Sequence, residues 1–291
     1  MPQQEEKNQH PKAKDQNQEA GSHSPHLDSG EQEQAAEHSS PRALVIHEIV
    51  REEGEAAMER TVSALAWSAF AAGLSIGFSF LMQATLLSAL PDAPWRDLVA
   101  SFGYTIGFVI VILGRQQLFT ESTLSAVLPV LTRRDMRTLL KTFRLWAIVL
   151  LFNLIGTIVF AGILQIRGVF PANVVDSLGT LAHMPLSASF GVTVVRAVFA
   201  GWLIALMVWL LPSARSARFL TILLITYTVA VSKLSHVIAG SVEASYAVMI
   251  GTATVRDYLL VFLAPTFIGN MIGGVSLVAI INHAAIAPEI E

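Results

Sequence analysis

Residues 114–122 read Gly114-Arg-Gln-Gln-Leu-Phe-Thr-Glu-Ser122, and residues 233–241 read Lys233-Leu-Ser-His-Val-Ile-Ala-Gly-Ser241. Each polar stretch interrupts a long apolar segment, the first within residues 98–131 and the second within residues 219–250. A helix broken inside lipid exposes backbone N–H and C=O groups that only protein or water can satisfy. The two stretches therefore predict two discontinuous membrane helices.

The rest of the chain has the composition of a membrane protein. Of its 291 residues, 53% are hydrophobic and 14% are charged, whereas soluble domains carry roughly 25% charged residues. About 20 apolar residues cross a bilayer. Four uninterrupted apolar segments accompany the two interrupted ones, over residues 62–90, 146–166, 192–211 and 258–281. The sequence thus predicts an all-α membrane protein with six transmembrane helices, the second and fifth of them broken.

The charge pattern divides the chain and orients it. Residues 1–41 are polar and poor in apolar side chains, which predicts a disordered cytoplasmic tail. Over residues 42–60, apolar residues recur at helical spacing and acidic residues fill the opposite face. This pattern predicts an amphipathic helix at the membrane surface. Residues 61–286 form the predicted transmembrane domain, and residues 287–291 a short C-terminus.

The basic loops over residues 133–144 and 215–218 predict that both termini are cytoplasmic in a bacterial inner membrane.

Several function classes are disfavoured by the composition. The chain has no cysteine, which excludes disulfides, thiolate metal sites and a catalytic thiol. Its formal net charge of −3 argues against a nucleic-acid partner. The membrane region contains no Ser-His-Asp set, catalytic carboxylate pair or cluster of metal ligands, so neither an enzyme nor a cofactor is expected.

The two halves of the predicted membrane domain resemble each other. Asn153-Leu-Ile-Gly156 recurs as Asn270-Met-Ile-Gly273, at an offset of 270 − 153 = 117 residues. The interruptions recur at nearly that offset, with Thr120 opposite His236. Halves of three spans each must be inverted relative to one another. Inverted repeats with a broken helix in each half predict a transport site near the membrane midplane.

Five ionisable residues lie at or near the breaks, where charge is expensive and usually functional: Arg115, Glu121, Lys233, His236 and Glu243. His236 is the most informative because an imidazole titrates near neutral pH and can donate or accept a hydrogen bond. Half-helix N-termini at the breaks also favour an anion. Arg115, Glu121 and Lys233 either line a path or form ion pairs that stabilise the breaks.

At these residues the chain resembles the formate/nitrite transporter family over residues 42–286. The resemblance rests on Leu118-Phe119-Thr120 in the first break, on His236 in the second, and on the helix from Arg196 to Trp209. The last segment carries the further pattern Pro265, Gly269, Asn270, Ile272, Gly273 and Gly274. The chain departs from the family at Gln117, Glu121, Ser122, Ser235 and Gly201, and it has Arg115 and Lys233 in addition.

The resemblance implies an aquaporin-like fold, a homopentamer in the lipid bilayer and one pore per subunit for small monovalent anions. It makes Leu118, Phe119 and Thr120 a pore-lining loop and His236 the central polar residue. We therefore expect passive or proton-coupled passage of a weak-acid anion such as formate or nitrite, hydrogen-bonded or protonated by His236 at a constriction formed with Phe119. Basic groups at the vestibules would attract the anion.

Two other functions remain open from the residues alone. A channel for a neutral solute or a cation would use Glu121 and Glu243 to line the path. A non-conducting membrane scaffold or sensor would have its pore closed by ion pairs of the Arg115–Glu121 kind.

Overall fold

The computed structural model describes residues 24–290, and the regular structure in that range is helical. In chain order the α-helices are α1 (Ser29–His38), α2 (Ala43–Glu59), α3 (Val62–Ala89), α4 (Arg96–Leu113), α5 (Phe119–Ser125), α6 (Val127–Arg133), α7 (Met136–Ile163), α8 (Ala172–Ala182), α9 (Phe190–Leu210), α10 (Arg218–Val231), α11 (Ala239–Met249), α12 (Val255–Asp257), α13 (Ala264–Met271) and α14 (Ile281–Ile290). Two π-helical segments, Tyr258–Leu263 and Ile272–Ile280, join α12, α13 and α14 end to end.

The polar N-terminal region contains a helix where the composition predicted disorder. Residues 1–23 of the predicted tail lie outside the described residues, but residues 29–38 form α1. The Glu31 backbone N–H donates to Asp28 Oδ1 at 2.8 Å, and the Asp28 N–H donates to Glu31 Oε2 at 2.9 Å. This reciprocal capping starts a helix whose Glu, Gln and Ala residues then favour its continuation.

Among residues 24–290, five helices are long and apolar enough to cross a membrane: α3, α4, α7, α9 and the composite helix from Val255 to Pro288. The fifth segment, predicted to be broken, is divided into α10, of 14 residues, and α11, of 11 residues. The third segment begins earlier than predicted, at Met136, because the Asp135 carboxylate accepts the Thr138 backbone N–H at 2.9 Å. The Thr138 hydroxyl, which donates to Asp135 Oδ2 at 2.7 Å, and then this backbone bond lower the pKa of Asp135, which lies in the loop before the helix.

Small residues bring the spanning helices into backbone contact. A Cβ atom built on Gly73 of α3 would lie 2.2 Å from the Asn153 carbonyl oxygen of α7. A Cβ atom on Gly273 would lie 2.1 Å from the Val198 carbonyl oxygen of α9. Helices approach this closely in membranes where glycine faces the neighbouring backbone. On the outer faces, large apolar side chains such as Trp67 are exposed, as expected where lipid is the solvent.

The amphipathic helix α2 packs on the protein itself. Its buried Ile46 and Val50 join an apolar cluster with Leu124 of α5 and Val208 of α9. On its polar face Arg51 donates to Glu48 at 2.7 Å and to Glu55 at 2.6 Å. The apolar face of this helix is therefore buried against the protein, and its position at the membrane surface stays a prediction.

Candidate functional site

The first helix break is closed by a hydrogen-bonded reversal at the end of α4. The Gln116 N–H donates to the Val111 carbonyl at 3.0 Å, and the Arg115 N–H donates to the Ile112 carbonyl at 3.2 Å. These are the two bonds of a Schellman motif, and they satisfy carbonyls that the end of the helix leaves free. Arg115 itself adopts a left-handed conformation, with φ of 50°.

The second break repeats this arrangement at the end of α10. The Leu234 N–H donates to the Val229 carbonyl at 3.0 Å, the Lys233 N–H donates to the Ala230 carbonyl at 3.0 Å, and Lys233 has φ of 52°. A cation thus follows the C-terminal end of each half-helix, where the helix dipole favours positive charge.

Two buried asparagines satisfy the irregular backbone of the breaks. Asn153 Oδ1 accepts the Phe119 N–H at 2.9 Å, and its amide group donates to the carbonyls of Ala69 at 2.7 Å and Gln117 at 2.9 Å. Asn153 is fully buried, so these bonds replace the water that is excluded there. Asn153 of α7 thus links α3 to both sides of the first break.

Asn270 makes the matching set of bonds at the second break. Its Oδ1 accepts the Val237 N–H at 2.9 Å, and its amide group donates to the carbonyls of Ala197 at 2.8 Å and Ser235 at 3.0 Å. These bonds make Phe119 equivalent to Val237, at an offset of 237 − 119 = 118 residues. The predicted alignment of Thr120 with His236 in the two halves is therefore displaced by two residues.

Thr120 and His236 meet where the two breaks face each other. Thr120 Oγ1 lies 2.8 Å from His236 Nε2, and both residues are about 1% exposed. The Ala239 backbone N–H donates to His236 Nδ1 at 3.2 Å. A lone pair on Nδ1 is needed for that bond, so the ring proton of the neutral imidazole is on Nε2 and is donated to Thr120. The Phe108 ring packs edge-on against the imidazole, with 5.0 Å between ring centroids.

The rest of the first break is apolar and closely packed. Leu118 and Phe119 are almost fully buried, and the Phe119 ring stacks on Phe267 with centroids 5.6 Å apart. Leu118, Phe119, Thr120 and His236 thus lie together where the two breaks face each other.

A cavity of about 360 Å³ reaches His236 from one side. It lies between α3, α4, α8, α9 and the second break, and its wall includes Gln83, Tyr104, Arg196, Lys233, His236 and Glu243. Arg115, Glu121 and Thr120 are not among its lining residues. The cavity therefore stops at the imidazole.

The charged side chains at the breaks do not pair with one another. Arg115 Nη2 lies 3.9 Å from Glu53 Oε1 of α2, and Lys233 Nζ lies 3.5 Å from Asp97 Oδ2 of α4. Within residues 24–290, the side chain of Glu121 has no ion pair. Pore closure by a pair of the Arg115–Glu121 kind is therefore not seen.

Two further charged residues, Arg196 and Glu243, lie in the cavity wall. In the part of the chain that the structure describes, the side chains of Arg196 and Glu243 have neither a hydrogen bond nor an ion pair. Arg196 was not predicted to belong to the site, although a charge within the apolar segment over residues 192–211 is the signal that marked the other charged residues. Nor was α8 predicted, although it forms part of the cavity wall.

Comparison with known proteins places this site in a family. The profile described as formate/nitrite transporter matches residues 44–284. The chain belongs to the formate/nitrite transporter family. Its members are channels and transporters, so the prediction that the protein is not an enzyme is confirmed.

Individual formate/nitrite transporter relatives agree with this assignment. The chain is 39% identical over 250 residues to the inner membrane protein YfdC of Escherichia coli (strain K12), covering 86% of this chain and 81% of the relative. It is 26% identical over 239 residues to the formate channel BtFdhC of Bacillus thuringiensis, covering 80% and 91%. Together with the five spanning helices, these matches identify a multi-pass inner-membrane protein.

A solved formate/nitrite transporter structure supports the fold. A pentameric formate channel with formate bound superposes with a TM-score of 0.66 at 19% identity, over 78% of this chain and 98% of that one. The identity is low, so this likeness bears on the helical architecture alone.

Proposed function

We propose that the protein passes small monovalent weak-acid anions of the formate type across the inner membrane, by a route that crosses the Thr120–His236 contact. The observation that carries this proposal is the 2.8 Å bond between Thr120 Oγ1 and His236 Nε2, at the end of a cavity that contains two cations. Family membership and the formate channel relative support the same substrate class.

The cations of the cavity suit an anion that loses its hydration water stepwise along the route. Arg196 and Lys233 line the cavity and attract negative charge toward its inner end. There the Nε2–H of His236 is a hydrogen-bond donor, and Thr120 accepts it while keeping its own hydroxyl hydrogen. An anion that reaches this contact can therefore receive two donated hydrogen bonds in place of lost water.

The apolar residues next to the contact form the constriction. Leu118, Phe119 and Phe108 are all buried beside Thr120 or His236. On the other side of the contact Arg115 supplies a second exposed cation, 75% exposed at its side chain. In this proposal Arg115 and Lys233 attract the anion at opposite entrances.

The wider architecture that we propose has two inverted halves, each with three membrane segments and one broken helix. The matching bonds of Asn153 and Asn270 and the two matching helix ends support this repeat. Basic loops favour cytoplasmic termini, which would place the cavity on the opposite side of the membrane. We also propose a homopentamer with one passage per subunit, by analogy with the pentameric formate channel.

Formate uptake into proteoliposomes tests the proposal. We expect His236→Asn to reduce uptake about tenfold or more, because one hydrogen bond to a charged group contributes about 1.5–3 kcal/mol. His38→Asn, the same substitution on an exposed residue of α1, is the matched control and should leave uptake unchanged. Equal uptake by both variants and the unsubstituted protein would remove His236 from the route.

Cation passage is the second candidate, and one observation favours it. Glu121 and Glu243 have no ion pair within the described residues, as carboxylates lining a cation path would require. Reversal potentials in a sodium formate gradient separate the candidates, because anion and cation selectivity give opposite signs. No flux of any small solute would instead favour a non-conducting scaffold or sensor.

A further inference from the structure

The bonds of His236 leave it poorly placed to take up a proton. Nδ1 accepts the Ala239 N–H at 3.2 Å, and Nε2 already carries the proton donated to Thr120. A second proton on Nδ1 would point at the backbone N–H and remove that bond. His236 is also about 1% exposed, which disfavours a charged ring. A proton that accompanies the anion must therefore be held by another group.

Glu243 is the acidic residue of the same cavity. It lies on α11 behind His236, it contributes to the cavity wall, and it is partly exposed there. Within residues 24–290 no hydrogen bond or ion pair engages its carboxyl group. The adjacent phenol of Tyr258 is used elsewhere, since its hydroxyl donates to Ser241 Oγ at 3.2 Å. The carboxyl group is thus free to exchange a proton with the contents of the cavity.

The other titratable and charged groups around Glu243 are less suited to carry a proton. Arg196 on α9 stays protonated at all relevant pH values. Lys233 lies 3.5 Å from Asp97, and in this proposal its ammonium group attracts the anion and does not supply the proton. Tyr104 on α4 and Tyr258 are buried phenols, whose ordinary pKa near 10 keeps them protonated at neutral pH. His183, at the end of α8, is exposed at the cavity wall and faces solvent.

We propose that Glu243 is the proton carrier that couples anion passage to proton movement, an inference that rests on the anion-passage function proposed above. Protonated Glu243 breaks its O–H bond and gives the proton to a carboxylate anion held near Arg196 and Lys233. The products are the neutral acid and the Glu243 carboxylate. The neutral acid crosses the constriction without the several kcal/mol that a bare charge costs there. Water in the cavity then returns a proton to Glu243.

The test measures protons and anions in the same vesicles. The full-length protein is reconstituted, formate uptake is followed with radiolabel, internal pH with a trapped dye, and membrane potential with a second dye. We expect about one proton per formate and little potential for the unsubstituted protein. Glu243→Gln should keep formate uptake above that of protein-free vesicles, while its proton-to-formate ratio falls at least fivefold and uptake generates a potential.

Two further variants keep the result interpretable. Asp176→Asn makes the matched acid-to-amide change on an exposed residue of α8 and should keep the original ratio. Glu243→Asp retains a carboxyl group and should keep the proton-to-formate ratio while formate uptake becomes slower. This variant also tests the proposal if the Glu243→Gln protein does not assemble. If Glu243→Asp loses the proton-to-formate ratio while Asp176→Asn keeps it, the proposal is contradicted.

The outcomes separate this inference from the proposed function. Formate uptake without protons by the unsubstituted protein overturns the role of Glu243 and leaves anion passage standing. A Glu243→Gln protein with the original ratio also overturns it. Absence of formate uptake by the unsubstituted protein refutes anion passage itself, and the coupling inference with it.

Discussion

Arg115 and Lys233 hold the same position in two separate helix ends, 118 residues apart. Each follows a half-helix and adopts a left-handed conformation, with φ of 50° for Arg115 and 52° for Lys233. In each case the cation donates one of the two Schellman hydrogen bonds, and the residue after it donates the other. Glycine is the residue usually found there, because a Cβ atom makes this conformation unfavourable by roughly 1–2 kcal/mol. Two strained cations at equivalent places are best explained by their charge.

Glycine at these two positions should stabilise the protein and reduce its anion uptake. We expect Arg115→Gly and Lys233→Gly each to raise the free energy of unfolding by about 1 kcal/mol and to lower formate uptake at low ionic strength, where charge attraction is strongest. Thermal unfolding in detergent and vesicle uptake measure the two effects. Arg134→Gly is the control, because Arg134 has φ of 52° but ends α6 outside both breaks. It should leave uptake unchanged, and reduced uptake there would count against a local charge effect.

Loss of either buried asparagine should destabilise the protein strongly. Asn153→Leu leaves the Phe119 N–H and the Gln117 carbonyl without their partner in a water-free environment. Each unsatisfied group costs about 1–3 kcal/mol, so we expect a loss of roughly 3 kcal/mol or failure to assemble. Asn173→Ala, at an exposed position on α8, should change stability by less than about 0.5 kcal/mol. Similar thermal midpoints for the two variants would show that the asparagine does not support the break.

Much of the site could be predicted from sequence because charge inside an apolar segment is a strong local signal. That signal placed the breaks at Arg115 and Lys233 and singled out His236. The exact equivalence of the halves was not accessible, because it depends on which backbone groups Asn153 and Asn270 bind. The sequence does not show which backbone groups an amide side chain binds, and the offset of the two interruptions suggested an alignment of Thr120 with His236.

Other features depended on long-range contacts or on weak signals. Glu53 pairs with Arg115 only because α2 folds back toward the first break. Arg196 was overlooked as part of the site although its charge stands out in an apolar segment. The helix α1 was missed because a polar composition outweighed the Asp28–Glu31 capping pair, a local cue that the sequence does contain.

The stability of α2 should fall in acid. The hydrogen bond from Arg51 lowers the pKa of Glu48 below its ordinary 4.5. A lowered folded-state pKa contributes stability that is complete above the unfolded value and is lost as pH falls through the folded value. Arg51→Met should therefore reduce the thermal midpoint slightly at pH 7, by an amount equivalent to about 0.5–1 kcal/mol, and this effect should shrink progressively as the pH falls below 4.5. Arg42→Met, at an exposed position, serves as the control, and a pH-independent effect of Arg51→Met would contradict the ionic explanation.

Two glycines of α7 should respond in opposite directions to the same substitution. A Cβ atom on Gly156 would lie 2.6 Å from the Phe70 carbonyl oxygen and 2.8 Å from Gly73 Cα, so Gly156→Ala must push α3 and α7 apart. We expect a loss of about 1–3 kcal/mol, as for other overpacked sites. Gly162 has nothing within 4 Å of such an atom, and Gly162→Ala should gain up to about 1 kcal/mol from helix propensity. Thermal midpoints of the purified variants measure both effects, and a stable Gly156→Ala protein would show that the close approach of α3 and α7 is not required for folding.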